Sequence, residues 1–296
     1  MSEPRRHTPN SKLASPSATI AVLKQHGLYT RKSLGQHFLI DDNIVGRILA
    51  LAELDGTERV LEVGPGIGTL TSALCEAAGS VVAVERDERL LGVLGELAER
   101  CGNLTLVHDD AVTVGALQLA GNSGPPVALV ANLPYAVAAT VVLRFFEEFP
   151  SIRRATVMVQ SEVADRMAAT PGTKAYGSYT VKLALRARPT GRFAVARGCF
   201  LPPPRVDSAV LRLDRVEESE ATPETIARAA AAADAAFAQR RKTIRNSLAS
   251  VLGAPAAGVD AALAEAGVEG GCRAETLGPE TFLYLGSALH QHGLLP

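Results

Sequence analysis

E-V-G-P-G-I-G, running from Glu62 to Gly68, follows a short apolar run at Arg59–Val63 and opens directly into a helical pattern at Thr69–Ala78. Glycines in such a turn let backbone approach a ligand closely and allow a tight change from strand to helix. Outward from this loop the same alternation repeats. Strands are predicted at Ser80–Glu85, Leu104–His108, Val127–Ala131 and Ala155–Val159, each a short β-branched run bounded by turn residues, as buried parallel strands are. Helical patterns fall between them at Glu88–Arg100, Ala136–Phe146 and Ser161–Ala169. Two further strands, Arg192–Ala196 and Ser208–Leu213, flank a Pro-Pro-Pro turn. This order predicts an α/β, Rossmann-like doubly wound sheet.

The carboxylates around the loop narrow its ligand. Glu85 closes the second strand, 17 residues beyond Gly68, where it can accept hydrogen bonds from both hydroxyls of a ribose. Asp109 and Asp110 close the third strand on the same carboxyl edge, which is where open sheets of this kind bind ligands. The spacing G-x-G-x-G departs from the nicotinamide fingerprint G-x-G-x-x-G, and this disfavours a dehydrogenase. A nucleoside without phosphates suits Glu62, Glu85 and Asp110 better. S-adenosylmethionine is such a ligand, joining adenine and ribose to a sulfonium cation that carboxylates favour.

The fourth strand runs into A-N-L-P-Y, with Asn132, Leu133, Pro134 and Tyr135. An amine conjugated to an aromatic ring is a poor nucleophile because its lone pair is delocalised. The Asn132 side-chain carbonyl and the backbone carbonyl of Leu133 or Pro134 can accept both of its N–H bonds, drawing the nitrogen toward tetrahedral geometry. Tyr135 offers a face on which a base can stack. Orientation then carries most of the rate, and no general base is needed at the start.

With these residues in view, the sequence resembles the ribosomal RNA adenine N6,N6-dimethyltransferase family over nearly its whole length. The strings that carry the resemblance are S-L-G-Q-H-F-L-I-D (Ser33–Asp41), L-E-V-G-P-G-I-G-T-L-T (Leu61–Thr71), V-E-R-D (Val84–Asp87), D-D-A (Asp109–Ala111) and N-L-P-Y. They continue through Q-S-E-V-A-D-R-M (Gln160–Met167), Y-G-S-Y (Tyr176–Tyr179), F-L-P-P-P-R-V-D-S-A-V (Phe200–Val210) and Q-R-R-K-T-I-R-N-S-L (Gln239–Leu248). The resemblance implies a class I S-adenosylmethionine-dependent methyltransferase domain followed by a small all-α domain. It implies that His37 and Leu39 line the cofactor pocket, that Gly64 approaches the methionine part, Glu85 the ribose and Asp110 the adenine, and that Asn132 lies between cofactor and target amine. Phe200 is expected to stack on the target base opposite Tyr135. His37 stands where the family usually has Asn. Of the family's branches, the one that dimethylates two adjacent adenines in the 3′-terminal hairpin of 16S rRNA, late in small-subunit assembly, is the expected match. The alternatives are the large-subunit methyltransferases of macrolide resistance and an assembly factor with a vestigial cofactor site.

Composition agrees with a folded enzyme. Of the 296 residues 47% are hydrophobic and 21% charged, which excludes a disordered chain, and no apolar stretch is long enough to span a membrane. The start of the chain lacks a secretory signal, and Cys75, Cys101, Cys199 and Cys272 match neither a zinc nor a disulfide spacing. A cytoplasmic, metal-free monomer is expected. Residues 1–18 read as a flexible tail, with a short helix at Thr19–Leu28. A charged linker at Arg215–Thr225 separates a methyltransferase domain (19–217) from a helical RNA-binding domain (218–296), with helices at Ala227–Ala238, Val259–Ala266 and Glu280–His290.

The formal net charge is −1, yet residues 1–34, 182–212 and 237–247 carry excesses of +5, +6 and +4. The last of these holds Arg240, Arg241, Lys242 and Arg245 with no acid between them. Read as a helix, it places Arg241 and Arg245 on one face and predicts phosphate contact with rRNA.

Overall fold

The computed structural model describes residues 11–28, 36–216 and 221–296. The elements begin with α1 (Pro16–Gln25), β1 (Phe38–Leu39), α2 (Asp42–Ala52), β2 (Arg59–Val63), α3 (Thr69–Ala77) and β3 (Ser80–Glu85). Next come α4 (Leu91–Cys101), β4 (Leu104–His108), α5 (Ala116–Ala120), β5 (Ala128–Asn132), α6 (Ala138–Glu148), β6 (Arg154–Gln160) and α7 (Ser161–Met167). Then follow α8 (Ser178–Ala184), β7 (Ala187–Val195), β8 (Phe200–Leu201) and β9 (Ser208–Arg215). The last helices are α9 (Pro223–Phe237), α10 (Ile244–Leu252), α11 (Ala256–Glu265) and α12 (Pro279–Gln291).

Seven strands form one sheet in the order β4-β3-β2-β5-β6-β9-β7, and a separate two-stranded sheet joins β1 to β8. Strands β2 to β6 run parallel, whereas β9 returns antiparallel to β6. All five residues of β2 are buried, as a central strand covered on both faces requires. At the sheet edge β4 is only half-buried, which its apolar sequence does not announce. The registers Val63↔Val84, Glu85↔His108 and Asn132↔Met158 bring the carboxyl ends of the parallel strands into one row. That row positions the site.

Several expectations shift. The tail reading holds for no described residue from Ser11 onward, and residues 1–10 lie outside the described residues. Ser11 is buried, its N–H donates to Asp42 Oδ1 at 2.8 Å, and its hydroxyl meets that of Ser72 at 3.0 Å. Ser15 then caps α1, accepting from the Ala18 N–H. Helix α2 goes unannounced in the reading above, although Asp41 is a ready N-cap that accepts from the N–H groups of Asn43 and Ile44. Ser208–Leu213 extends to Arg215, and Arg192–Ala196 becomes the longer β7.

The chain divides into two compact units, residues 1–164 with 189–214, and residues 165–188 with 215–296. A single boundary at residue 217 therefore misses a segment. Tyr176, Val181 and Leu185 join the helical unit because they complete its core with Ala229, Leu248, Phe282 and Leu285. The Tyr176 hydroxyl donates to the Leu277 carbonyl at 2.8 Å. Within this unit α9 buries Ala229, Ala232, Ala233, Ala235 and Ala236. At Gly286 in α12 an added Cβ would lie 2.6 Å from the Ala229 nitrogen and from the Arg228 carbonyl carbon. Small residues thus let the two helix backbones touch.

Gly286→Ala is therefore expected to destabilise the protein by roughly 1–3 kcal/mol, since two backbones must part. Gly95→Ala in α4, where an added Cβ meets nothing within 4 Å, is expected to stabilise it by about 0.5–1 kcal/mol. Circular-dichroism melts of both variants check the opposed signs.

Candidate active site

A cavity of about 830 Å³ lies against the carboxyl ends of the strands, within the first unit. Its walls bring together His37 and Leu39 from β1 and the residue before it, Gly64 and Gly66 from the loop after β2, Glu85 from β3, Asp110 after β4, and Asn132 to Tyr135 at the end of β5. Residues scattered over a hundred positions of sequence thus converge through strand register.

Gly64 has φ +68°, and a Cβ there would lie 3.1 Å from both Cγ and Cδ of Pro134. Gly66 has φ +62°, and its Cβ would stand 3.2 Å from the Phe38 ring. The loop needs glycine for conformation and for space. Glu62 and Glu85 are buried behind it. Burial pushes the Glu62 carboxyl up to about 8, with the neighbouring Glu85 charge adding to the shift and the Thr71 hydroxyl opposing it. Glu62 Oε2 has no hydrogen-bond partner. Burial also raises Glu85, opposed by backbone N–H groups of Asp87, Gly66 and Arg86; the first donates to Oε1 at 2.7 Å. Asp110 accepts from the Val112 N–H at 2.9 Å and pairs with Arg86 at 3.1 Å.

Asn132 Nδ2 donates toward the His37 carbonyl at 3.5 Å, which leaves Oδ1 as the free acceptor. The Pro134 carbonyl already accepts from the Val137 N–H at 3.1 Å, which leaves it one lone pair beside the carbonyl of Leu133. The Tyr135 ring is held at both ends. Its hydroxyl meets Ser208 Oγ at 2.7 Å, and His37 stacks on it with centroids 5.6 Å apart and planes at 27°. His37 Nδ1–H in turn donates to the Pro202 carbonyl at 2.8 Å.

Phe200 does not join them. It is 2% exposed, pairs with Leu39 across the small sheet and packs in the core with Ile44, Val195 and Val210. The expected stacking of this ring on a base is corrected by that burial: an apolar side chain on an inward-facing strand position goes to the core. Sequence reading assigns no role to Gln36, whose amide donates to Asp87 Oδ2 at 2.8 Å beside the cavity, nor to Gln160 and Ser208. Their strings were legible, but no periodicity singles out a residue whose role depends on cross-strand register.

The basic cluster of the second unit also differs from expectation. It is not one helix, because α9 ends at Phe237 and α10 starts at Ile244. Arg240 pairs with Glu275 and donates to the carbonyls of Lys174 and Tyr176, while Arg245 pairs with Asp260 at 2.6 Å. Arg241 and Lys242 are exposed, with no side-chain partner among the described residues.

Comparison with known proteins decides the family. The model of ribosomal RNA adenine dimethylases matches residues 27–289. The chain belongs to this family. It is 48% identical over 263 residues to the ribosomal RNA small subunit methyltransferase A of Streptomyces griseus, covering 86% of this chain and 88% of that one. It is 42% identical over 256 residues to the protein of the same description from Magnetococcus marinus, covering 86% and 90%. Among solved structures, the 23S rRNA methyltransferase ErmE superposes with a TM-score of 0.62 at 32% identity, covering 86% of this chain and 100% of that one. A dimethyladenosine transferase from Plasmodium falciparum shares the fold with a TM-score of 0.71 at 22% identity, covering 87% and 98%. Membership in this dimethylase family agrees with the α/β methyltransferase architecture and the helical C-terminal region.

Burial of Glu62 sets a pH dependence of known sign. Its carboxyl titrates from an ordinary 4.5 when unfolded and about 8 when folded. Between those values the native state holds a proton that the unfolded chain has lost, so this group's contribution to stability falls as pH rises through the window. Glu62→Gln stays neutral throughout and is expected to flatten that slope by up to about 1.4 kcal/mol per pH unit. Urea unfolding of both proteins without ligand, at about pH 5.5 and about pH 7.5, checks this; an unaltered slope would contradict it.

Proposed function

We propose that the protein transfers methyl groups from S-adenosylmethionine to N6 of two adjacent adenines in the 3′-terminal hairpin of 16S rRNA, dimethylating each, late in assembly of the small ribosomal subunit in the cytoplasm. One observation carries this reading: the glycine loop, the strand-end carboxylates and the Asn132–Tyr135 turn line a single cavity. Relatives described as small subunit methyltransferase A reach 48% identity, against 32% for the 23S rRNA enzyme, which favours the small-subunit branch. The intact set of Gly64, Glu85, Asp110 and Asn132 speaks against a vestigial site.

The cavity suits S-adenosylmethionine. Gly64 and Gly66 bring a loop without side chains to the cavity wall, and the unpartnered, buried oxygen of Glu62 calls for a donor or a cation. Gly64 would meet the methionine part, Glu85 the ribose hydroxyls and Asp110 the adenine, with His37 and Leu39 closing the side. The bound cofactor supplies an electrophilic methyl group. The chain supplies orientation. Asn132 Oδ1 and the Leu133 carbonyl accept the two N–H bonds of the target amine and turn its lone pair out of conjugation. Tyr135, fixed by Ser208 and His37, gives the base a face to stack on, and Phe200 supports the paired strands β1 and β8 from within the core rather than touching the base. The amine proton is lost after transfer, when positive charge on nitrogen has made it acidic, so the residues need only position it. With one methyl in place a single N–H remains, and one acceptor suffices for the second transfer. Arg241 and Lys242, free of internal partners, are the phosphate-binding members of the C-terminal cluster, while Arg240 and Arg245 brace that unit.

Unmethylated small subunits incubated with excess cofactor, followed by nuclease digestion and mass spectrometry of the rRNA, test the activity. N6,N6-dimethyladenosine at two neighbouring positions is expected, and a product confined to large-subunit rRNA or halted at the monomethyl stage overturns the reading. Asn132→Ala should reduce turnover by at least about 100-fold while leaving particle binding intact. Glu85→Ala should weaken cofactor binding by roughly 1.5–3 kcal/mol in calorimetry. The double variant Arg241→Gln, Lys242→Gln should bind the particle less tightly and lower the salt slope by about 1–2, whereas Arg240→Gln alone should mainly lower the melting temperature.

A further inference from the structure

A second cavity, of about 390 Å³, adjoins the first, and Gln160 lies in the wall of both. It is formed where β6 ends and the loop before β9 begins, with Arg197, Arg205, Val206 and Asp207 around it. Its size falls within the range of small-ligand clefts, roughly 300–1,000 Å³. Nothing in the transfer described above uses it.

Its construction is specific. The Ser161 N–H donates to the Asp207 carbonyl at 3.0 Å, continuing the Gln160↔Ser208 register and fixing the floor. Arg197 braces the loop, donating to the Arg205 carbonyl at 3.3 Å and pairing with Asp207 at 3.3 Å. Arg205 is different: its exposed guanidinium has no partner among the described residues. Beside it Val206 stands 46% exposed, an apolar side chain left in water. One unpaired guanidinium next to one exposed apolar group matches a nucleotide, which presents an anionic phosphodiester joined to an apolar ring face. The next residue after Asp207 is Ser208, which anchors Tyr135, so the cavity begins one residue from the group proposed to hold the target base.

We propose that this second cavity seats the nucleotide adjoining the target adenine, with Arg205 meeting the phosphate that links the two. The inference rests on the proposed rRNA methylation and deepens it: the enzyme reads a dinucleotide step, and the partner adenine waits in the neighbouring cavity while the first is modified.

The test uses the full-length protein and undermethylated small subunits. Arg205→Gln is expected to lower kcat/KM for the particle roughly tenfold, mostly through KM. It should also reduce the salt slope of binding by about one while leaving calorimetric affinity for S-adenosylmethionine unchanged. Arg205→Lys, which keeps the charge, should recover most of the loss and restore the salt slope. A wild-type protein that methylates the particle together with an Arg205→Gln variant of equal kcat/KM and salt slope overturns this inference alone. Weakened cofactor binding in Arg205→Gln also overturns it, because the arginine would then serve the first cavity. Absence of methyl transfer by the wild-type protein overturns the functional reading and this inference with it.

Discussion

The close approach of the loop after β2 to the turn after β5 depends on residue 64 having no side chain. These two strands are neighbours in register, Leu61 beside Leu129, so the segments that follow them leave the sheet side by side. At Gly64 the backbone is left-handed, and the Pro134 ring fills the space a Cβ would need. Any other residue at 64 would meet both penalties at once. The glycine loop and the N-L-P-Y turn are therefore packed closely against each other. In the proposed reaction, transfer between two bound molecules would require their reacting atoms to be held within a small tolerance, which the close approach of the two loops would serve.

The second feature of the site is electrostatic. Glu62 and Glu85 sit close together in a buried layer, and one oxygen of Glu62 makes no hydrogen bond. An unpartnered buried carboxyl opposes folding, and such groups concentrate where a ligand completes them. A cationic ligand placed here would favour the charged form of both carboxyls. The strap of β1 and β8 closes the same region from another side. Leu39 pairs with Phe200, and His37 reaches both Tyr135 and the Pro202 carbonyl, so the cavity wall at β1, the turn after β5 and the loop after β8 are physically joined.

Charge shows how far linear order can mislead. The basic stretch at 182–212 is partly neutralised by acids from distant positions, Lys182 by Asp234 and Arg212 by Glu53, while Arg197 and Arg212 also pair with the nearby Asp207 and Asp214. In the second unit Glu275 and Asp260 do the same for Arg240 and Arg245. Among the described residues of the segments 182–212 and 237–247, Arg188, Arg205, Arg241 and Lys242 have no side-chain partner, and RNA contact is proposed for the last three.

The α/β alternation, the glycine loop, the carboxylates at strand ends and the N-L-P-Y turn were all legible in the sequence, because each depends on local periodicity or on residue chemistry at a strand end. So was the family, through the order of its strings. Tertiary structure alone decided that Phe200 belongs to the core, that Ser208 and His37 hold Tyr135, that residues 165–188 build the helical unit, and that Arg240 and Arg245 are spent on internal ion pairs. These outcomes depend on which residues lie across a strand pair or a helix contact. A one-dimensional pattern of hydrophobicity carries no record of such partners: it states that a side chain is apolar or charged, and only packing states what it touches.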